Sequence, residues 1–162
     1  MSPKSSQQLN GSKKLSLTSM YFNRYLIFRY STALFFFINL YWLIILVASN
    51  KYSWIVPGAL LIGSGIVMVE QVSKYWKHDN GLMLTRGYYA MQAVVNLILV
   101  ISILLKKRAV FYPFLTNKSN VFLIGFLLAG VAVSLLLEYR GYLIEHDRDH
   151  YLNNIKKFAA SL

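Results

Sequence analysis

The chain contains no cysteine, which excludes disulfides, thiolate metal centres, cysteine nucleophiles and cysteine-linked lipid anchors together. Acidic residues are almost as scarce, with six Asp and Glu against 17 Lys and Arg. Charged residues make up 14% of the 162 positions, where a soluble domain carries roughly 25%. Motifs of catalysis are missing as well. There is no nucleophile elbow, no phosphate-cradling glycine loop and no dinucleotide fingerprint, so catalysis is not expected and no cofactor is implied. Nor is there an internal repeat of the kind that marks many transporters as two related halves.

What is present is apolar. Residues of that class make up 56% of the chain, more than a soluble domain of this length can hide from water. The net charge of +11 raises the question of nucleic acid. Its Lys and Arg, however, lie between apolar blocks and not on one compact basic domain, a placement that suits a bilayer with an anionic inner leaflet.

Four apolar blocks are long enough to cross roughly 30 Å of hydrocarbon at about 1.5 Å per helical residue. They run from about 31–49, 54–72, 87–105 and 121–137. The expected fold is therefore all-α, an integral membrane four-helix bundle spanning 31–137. Residues 1–30 precede it as a polar, basic tail with an interfacial aromatic stretch. Residues 138–162 follow as a polar, mixed-charge tail of helical character. The stretch YFNRYLIFRY (21–30) suits headgroup depth, with Arg24 and Arg29 meeting phosphate. Val-Ala-Ser ahead of Asn50 resembles a weak signal-peptide cleavage site, but the preceding polar region and the apolar block are both too long for a signal. The four-residue link 50–53 predicts an antiparallel hairpin of the first two spans, with Pro57 in the first turn of the second, where its missing N–H costs nothing.

With the N-terminus inside, the inner segments hold twelve Lys and Arg and the outer links five, which predicts both termini in the cytoplasm. The outer cluster Lys106-Lys107-Arg108 is the misfit, and contact with outer lipid headgroups or an acidic partner would accommodate it.

Polar residues at membrane depth are costly and are the first functional candidates. Thr32 and Asn39 are seven residues apart on one face of the first span. Tyr89, Gln92 and Asn96 share a face of the third. Two readings compete: a polar seam lining a solute path, or interhelical hydrogen bonds worth roughly 0.6–2 kcal/mol each. The second is preferred, because amides alone carry no charge to couple transport and no charge pair is evident within the spans. Glu70, near the inner end of the second span, would be a proton or cation site if deep, but it can reach the interface with Lys74 at i+4. Glu138 closes the fourth span beside Arg140 in the same way. Small residues (Gly63, Gly65, Gly125 with Ala129, Gly130) suggest close helix approach. In the tail, His146 and His150 at i, i+4 form the one pattern with ligand chemistry. HDRDH is not HExxH, however, and a third ligand such as Glu145 or His78 would have to be recruited, so no metal is expected.

NRYLIFRYSTALFFFINLYW (23–42), followed by VMVEQVSKYWKH (67–78), resembles small four-span membrane proteins of lactic acid bacteria, streptococci and enterococci, some labelled as a cellobiose phosphotransferase transporter subunit IIA. The resemblance covers about the first half of the chain and implies a Gram-positive plasma membrane and a link to sugar transport. Authentic subunits of that class are soluble helical proteins with a phosphorylated histidine. Here His78, His146 and His150 sit in polar segments outside any such bundle. Two functions follow as expectations: a non-catalytic accessory or interaction subunit of a larger membrane assembly, or a homo-oligomeric transporter or channel component. Partners would be the lipid bilayer and another membrane protein or a second copy, with no nucleic acid.

Overall fold

A computed structural model of the chain describes residues 25–77, 81–146 and 148. Within them the fold is helical, without strands. The elements are α1 (Leu26–Ala48), a single 3-10 turn (Tyr52–Trp54), α2 (Ile55–Lys77), α3 (Met83–Leu104), the short α4 (Arg108–Phe111), a second 3-10 turn (Asn117–Ser119) and α5 (Asn120–Glu145). Four of these helices, α1, α2, α3 and α5, are long and apolar enough to cross a membrane.

The helices form because each carries an apolar run with one stripe that finds protein and a remainder that suits lipid. The buried positions of α1 are Phe28, Thr32, Phe35, Asn39, Trp42 and Leu46, spaced alternately four and three apart in the period of a single helix face. Leu34, Phe37, Tyr41 and Ile44, on the remaining surface of the same helix, are exposed. In water this would be an aggregating patch; in hydrocarbon it is ordinary solvent contact. The third crossing is the central one. About 44% of its apolar window is buried within the protein, against 22–28% in the other three. The closest packing is of α3 on α5, then α1 on α2 and α2 on α3, and no comparable packing joins α1 to α5. The α1–α5 flank is therefore packed more loosely than these three, its helices meeting through side chains such as Trp42 with Leu127 and Phe28 with Leu137 in the shared cores.

Consecutive crossings are antiparallel. Phe28 of α1, Gln71 of α2, Tyr89 of α3 and Leu137 of α5 come together at one end, and Trp42, Leu60, Leu99 and Leu127 at the other. Two helix ends are turned by the same device. After α1 the Lys51 N–H bonds to the Leu46 carbonyl, and after α3 the Lys107 N–H bonds to the Ser102 carbonyl, at 3.2 and 2.9 Å. Asn50 and Lys106 accordingly take positive φ, 51° and 60°, as the residue after a helix does in a Schellman motif.

Several boundaries differ from the hydropathy blocks. The first helix begins at Leu26, so Ile27–Tyr30 are helical and continuous with the first apolar block. The last runs on past Leu137 into the expected helical tail, to Glu145, and there Glu138 and Glu145, two turns apart on one face, both bind Arg86 of α3. Between them lies Gly141, where an added Cβ would stand 2.8 Å from Arg86 Cγ; hydrogen leaves room for the arginine stem to pass. Expectations for residues 1–24, His78, His150 and the tail beyond residue 148 fall outside the described residues.

Candidate functional site

The mid-depth polar residues of α1 and α3 meet. Asn39 Nδ2 donates to Gln92 Oε1 at 3.2 Å. The same oxygen accepts from the Tyr88 hydroxyl at 3.3 Å, and Gln92 Nε2 donates to Asn96 Oδ1 at 3.1 Å. Asn39, Gln92 and Asn96 are 2, 3 and 6% exposed, so the amides have no water to fall back on and their mutual bonds are obligatory. They form a polar layer between two apolar cores, one around Phe28, Val67, Tyr89 and Leu137, the other around Trp42, Leu60, Leu99 and Leu127.

A second chain of bonds lies nearer the Phe28 end. Gln71 Nε2 of α2 donates to Thr32 Oγ1 at 3.1 Å, Thr32 and Tyr89 hydroxyls are 2.8 Å apart, and the Tyr89 hydroxyl donates to the Phe28 carbonyl at 3.2 Å. Since the tyrosine proton is committed to that carbonyl, the threonine must donate to the tyrosine. The chain then runs in one direction from amide to carbonyl. It ties α1, α2 and α3 at one level.

Beside the amide layer lies a cavity of about 240 Å³, walled by α1, α3 and α5 and by Tyr112 of the loop that follows α4. Asn39, Gln92 and Asn96 are its polar lining, and Leu34 of α1 with Phe126 and Val133 of α5 are lining residues that are also exposed on the outside of the bundle. These exposed edges lie along the loosely packed α1–α5 flank. Toward the Lys106 end the cavity is capped. Trp42 Nε1 donates to the Phe111 carbonyl at 3.0 Å, and the Trp42 and Tyr112 rings stack at 5.3 Å and 10°. The Ser53 hydroxyl donates to the Val110 carbonyl at 2.7 Å. Burial pushes the Tyr112 phenol up from its ordinary pKa, so it stays neutral there.

No family model, curated protein or solved structure matches the chain. Its chemistry therefore has to be read from its own side chains.

The remaining candidates have local tasks. Glu70 accepts from the Thr85 N–H at 2.8 Å, the Thr85 hydroxyl at 2.6 Å and the Leu84 N–H at 3.3 Å. It thus caps the first turn of α3 from a neighbouring helix, where a carboxylate also meets the positive end of the helix dipole. Arg29, expected at a headgroup, donates from Nη2 to the Gln71 carbonyl at 3.3 Å. The Arg108 guanidinium folds onto the Leu115 carbonyl, while Lys106 and Lys107 are exposed. His146 packs against Tyr142 with ring centres 4.2 Å apart and planes tilted by 38°, and its Nδ1 lies 2.9 Å from the Tyr142 carbonyl. Among the described residues no three His, Asp or Glu side chains converge as metal ligands would, and Arg24 and His150 lie outside those residues.

Sequence reasoning missed the Arg86 cluster and found no charge pair within the spans, whereas Arg86 of α3 pairs with Glu138 and Glu145 of α5 at the ends of two helices long enough to cross. Arg86 bonds Glu138 from Nε at 3.2 Å and Nη2 at 2.9 Å, reaches Glu145 at 2.5 Å, and lies 5.1 Å over the Tyr142 ring. The i, i+7 spacing of the two glutamates was the available signal; that α3 supplies the arginine was not. The small-residue reading also needs correcting. Gly65 and Gly125 have nothing within 4 Å of an added Cβ, so neither marks a close approach, whereas a Cβ on Gly130 would lie 2.5 Å from Asn96 Nδ2.

Proposed function

We propose that this chain is a small, non-catalytic, multi-pass protein of the plasma membrane that acts as an accessory or interaction subunit of a larger membrane assembly. The observation that carries this reading is how the polar residues are spent. Asn39, Gln92, Asn96, Thr32, Gln71 and Tyr89 bond to one another, and Glu70 bonds to the start of α3. The mutually bonded amides and hydroxyls are neutral and stabilise helix contacts without carrying charge through the membrane, and the Glu70 carboxylate is taken up by the cap it makes. Partners in this reading are the lipid bilayer and another membrane protein or a second copy, with no nucleic acid. The excess of twelve basic residues over five supports cytoplasmic ends. The resemblance to four-span proteins of lactic acid bacteria and streptococci supports a Gram-positive plasma membrane. Capture of the tagged chain from native membrane in mild detergent, followed by mass spectrometry, is expected to recover a membrane protein in fixed ratio. Recovery of the chain alone as a monomer would refute the reading.

The cavity beside the amide layer favours one second reading, a homo-oligomeric transporter or channel component with its path along the α1–α3 seam, in line with the sugar-transport link of the resemblance. Flux in reconstituted vesicles that survives Asn39→Leu, Gln92→Leu and Asn96→Leu would eliminate it.

A further inference from the structure

We infer that the cavity between α1, α3 and α5 is a binding site for a neutral, lipid-soluble ring compound bearing a carbonyl, a quinone-like molecule entering sideways from the hydrocarbon. Four features of the cavity converge on that class.

Size comes first. A dry apolar cavity of about 150 Å³ admits a benzene ring, so 240 Å³ holds a substituted six-membered ring and leaves a chain to run out between α1 and α5. The lining comes second. Phe35, Trp42, Tyr112 and Phe126 supply ring faces and edges, which suit a flat π-system more than a flexible chain. Third is the polarity of the amide side. Gln92 Nε2 occupies Asn96 Oδ1, which directs the other end of the Asn96 amide, its N–H donors, against Gly130 at the cavity wall. With a neutral donor and no cation in the lining, the complementary group is a neutral acceptor, and a carboxylate or phosphate would be buried there without a counter-charge. Depth is the fourth. Asn39 is the fourteenth of the 23 residues of α1, close to the middle of the crossing. Phospholipid ester carbonyls sit at the interface, about half of a roughly 30 Å core away. A free ring compound dissolved in the hydrocarbon reaches this level without deforming the bilayer. The site also accounts for the looser packing of α1 on α5 beside the amide layer.

This inference does not depend on the accessory-subunit reading, since a protein of either proposed function can hold such a ligand. The test uses the full chain in phosphatidylcholine nanodiscs with Trp54→Phe and Trp76→Phe, leaving Trp42 of the cavity wall as the sole tryptophan. Titration with a decyl-substituted benzoquinone is expected to quench Trp42 saturably. Asn96→Leu, which removes the donor and keeps the bulk, is expected to weaken the apparent Kd about tenfold, the scale of one neutral hydrogen bond in an apolar site. Ala129→Phe, which fills the cavity from its α5 wall, is expected to abolish saturation. Circular dichroism melting of both variants separates loss of binding from loss of fold. Quenching that rises linearly and equally in all three proteins would overturn the proposal. So would equal saturation by decylbenzene, which lacks the carbonyls, or contact quenching of Trp42 by mid-chain brominated phosphatidylcholine to the same extent, which would give the cavity to a phospholipid chain.

Discussion

Single side chains in this protein are assigned by what they can reach, and Glu70 shows how far that departs from depth alone. A carboxylate near the end of an apolar helix suggests a proton or cation site, yet both its oxygens are occupied by the α3 N-terminus and the Thr85 hydroxyl. Glu70→Ala is therefore expected to lower thermal stability by about 1–2 kcal/mol, the scale of a lost cap, read from the helical circular dichroism signal in detergent. Glu70→Gln keeps an acceptor and is expected to lose less. Equal stability of wild type and Glu70→Ala would mean the cap contributes nothing. The residue-level part of the candidate site was legible where periodicity governs it. Thr32 with Asn39, and Tyr89 with Gln92 and Asn96, share faces by spacing alone. Gln71 was not legible, because its role depends on the rotation of α2 about its axis, which the sequence of α2 does not encode without its neighbours.

At the level of helices, the same limit separates Gly125 from Gly130. The small-xxx-small spacing selects Gly125 and Ala129, but the helix turns Gly125 toward open space and Gly130 onto the Asn96 amide. Gly125→Leu is expected to change stability by less than about 0.5 kcal/mol, as a lipid-facing substitution away from contacts does. Gly130→Leu drives a side chain into Asn96 and is expected to cost about 1–3 kcal/mol by overpacking, with thermal melting as the readout. Comparable melting of the two variants would mean that α5 is rotated from the orientation described. The extent of α5 is a second case. Hydropathy ends the span at Leu137, and the helix runs on into the expected helical tail, where Arg86 holds Glu138 and Glu145. These side chains are 28–31% exposed, so the network contributes modestly. Arg86→Met, which also leaves two unpaired glutamates on one face, is expected to reduce hydrogen-exchange protection of the 139–145 amides roughly fivefold, about 1 kcal/mol on the scale of a part-exposed network. Protection unchanged to Glu145 would assign the extension to helix propensity alone.

For the molecule as a whole, four crossings and their antiparallel order were written in the sequence, because a bilayer makes block length and link length nearly sufficient. The looser packing of the α1–α5 flank was not, since only the packing tells which apolar surface meets lipid and which meets protein. Membrane sidedness depends on charge placement, and this chain offers a clean way to measure it. With no native cysteine, any labelled thiol is an introduced one. Lys118, next to the start of α5, and Arg148, just past its end, are both exposed and belong to opposite ends of the bundle. Position 118 lies in the 106–120 loop, which holds four of the five basic residues counted as outer, so Lys118→Cys tests the misfit segment directly. On intact cells a membrane-impermeant maleimide is expected to label Lys118→Cys and to leave Arg148→Cys unlabelled until the membrane is permeabilised. Each substitution removes only one positive charge, too little to invert a twelve-to-five bias. Labelling of Arg148→Cys alone on intact cells would reverse the topology. The Lys106-Lys107-Arg108 cluster would then be the cytoplasmic determinant, and the proposed partner would have to meet the opposite face of the bundle.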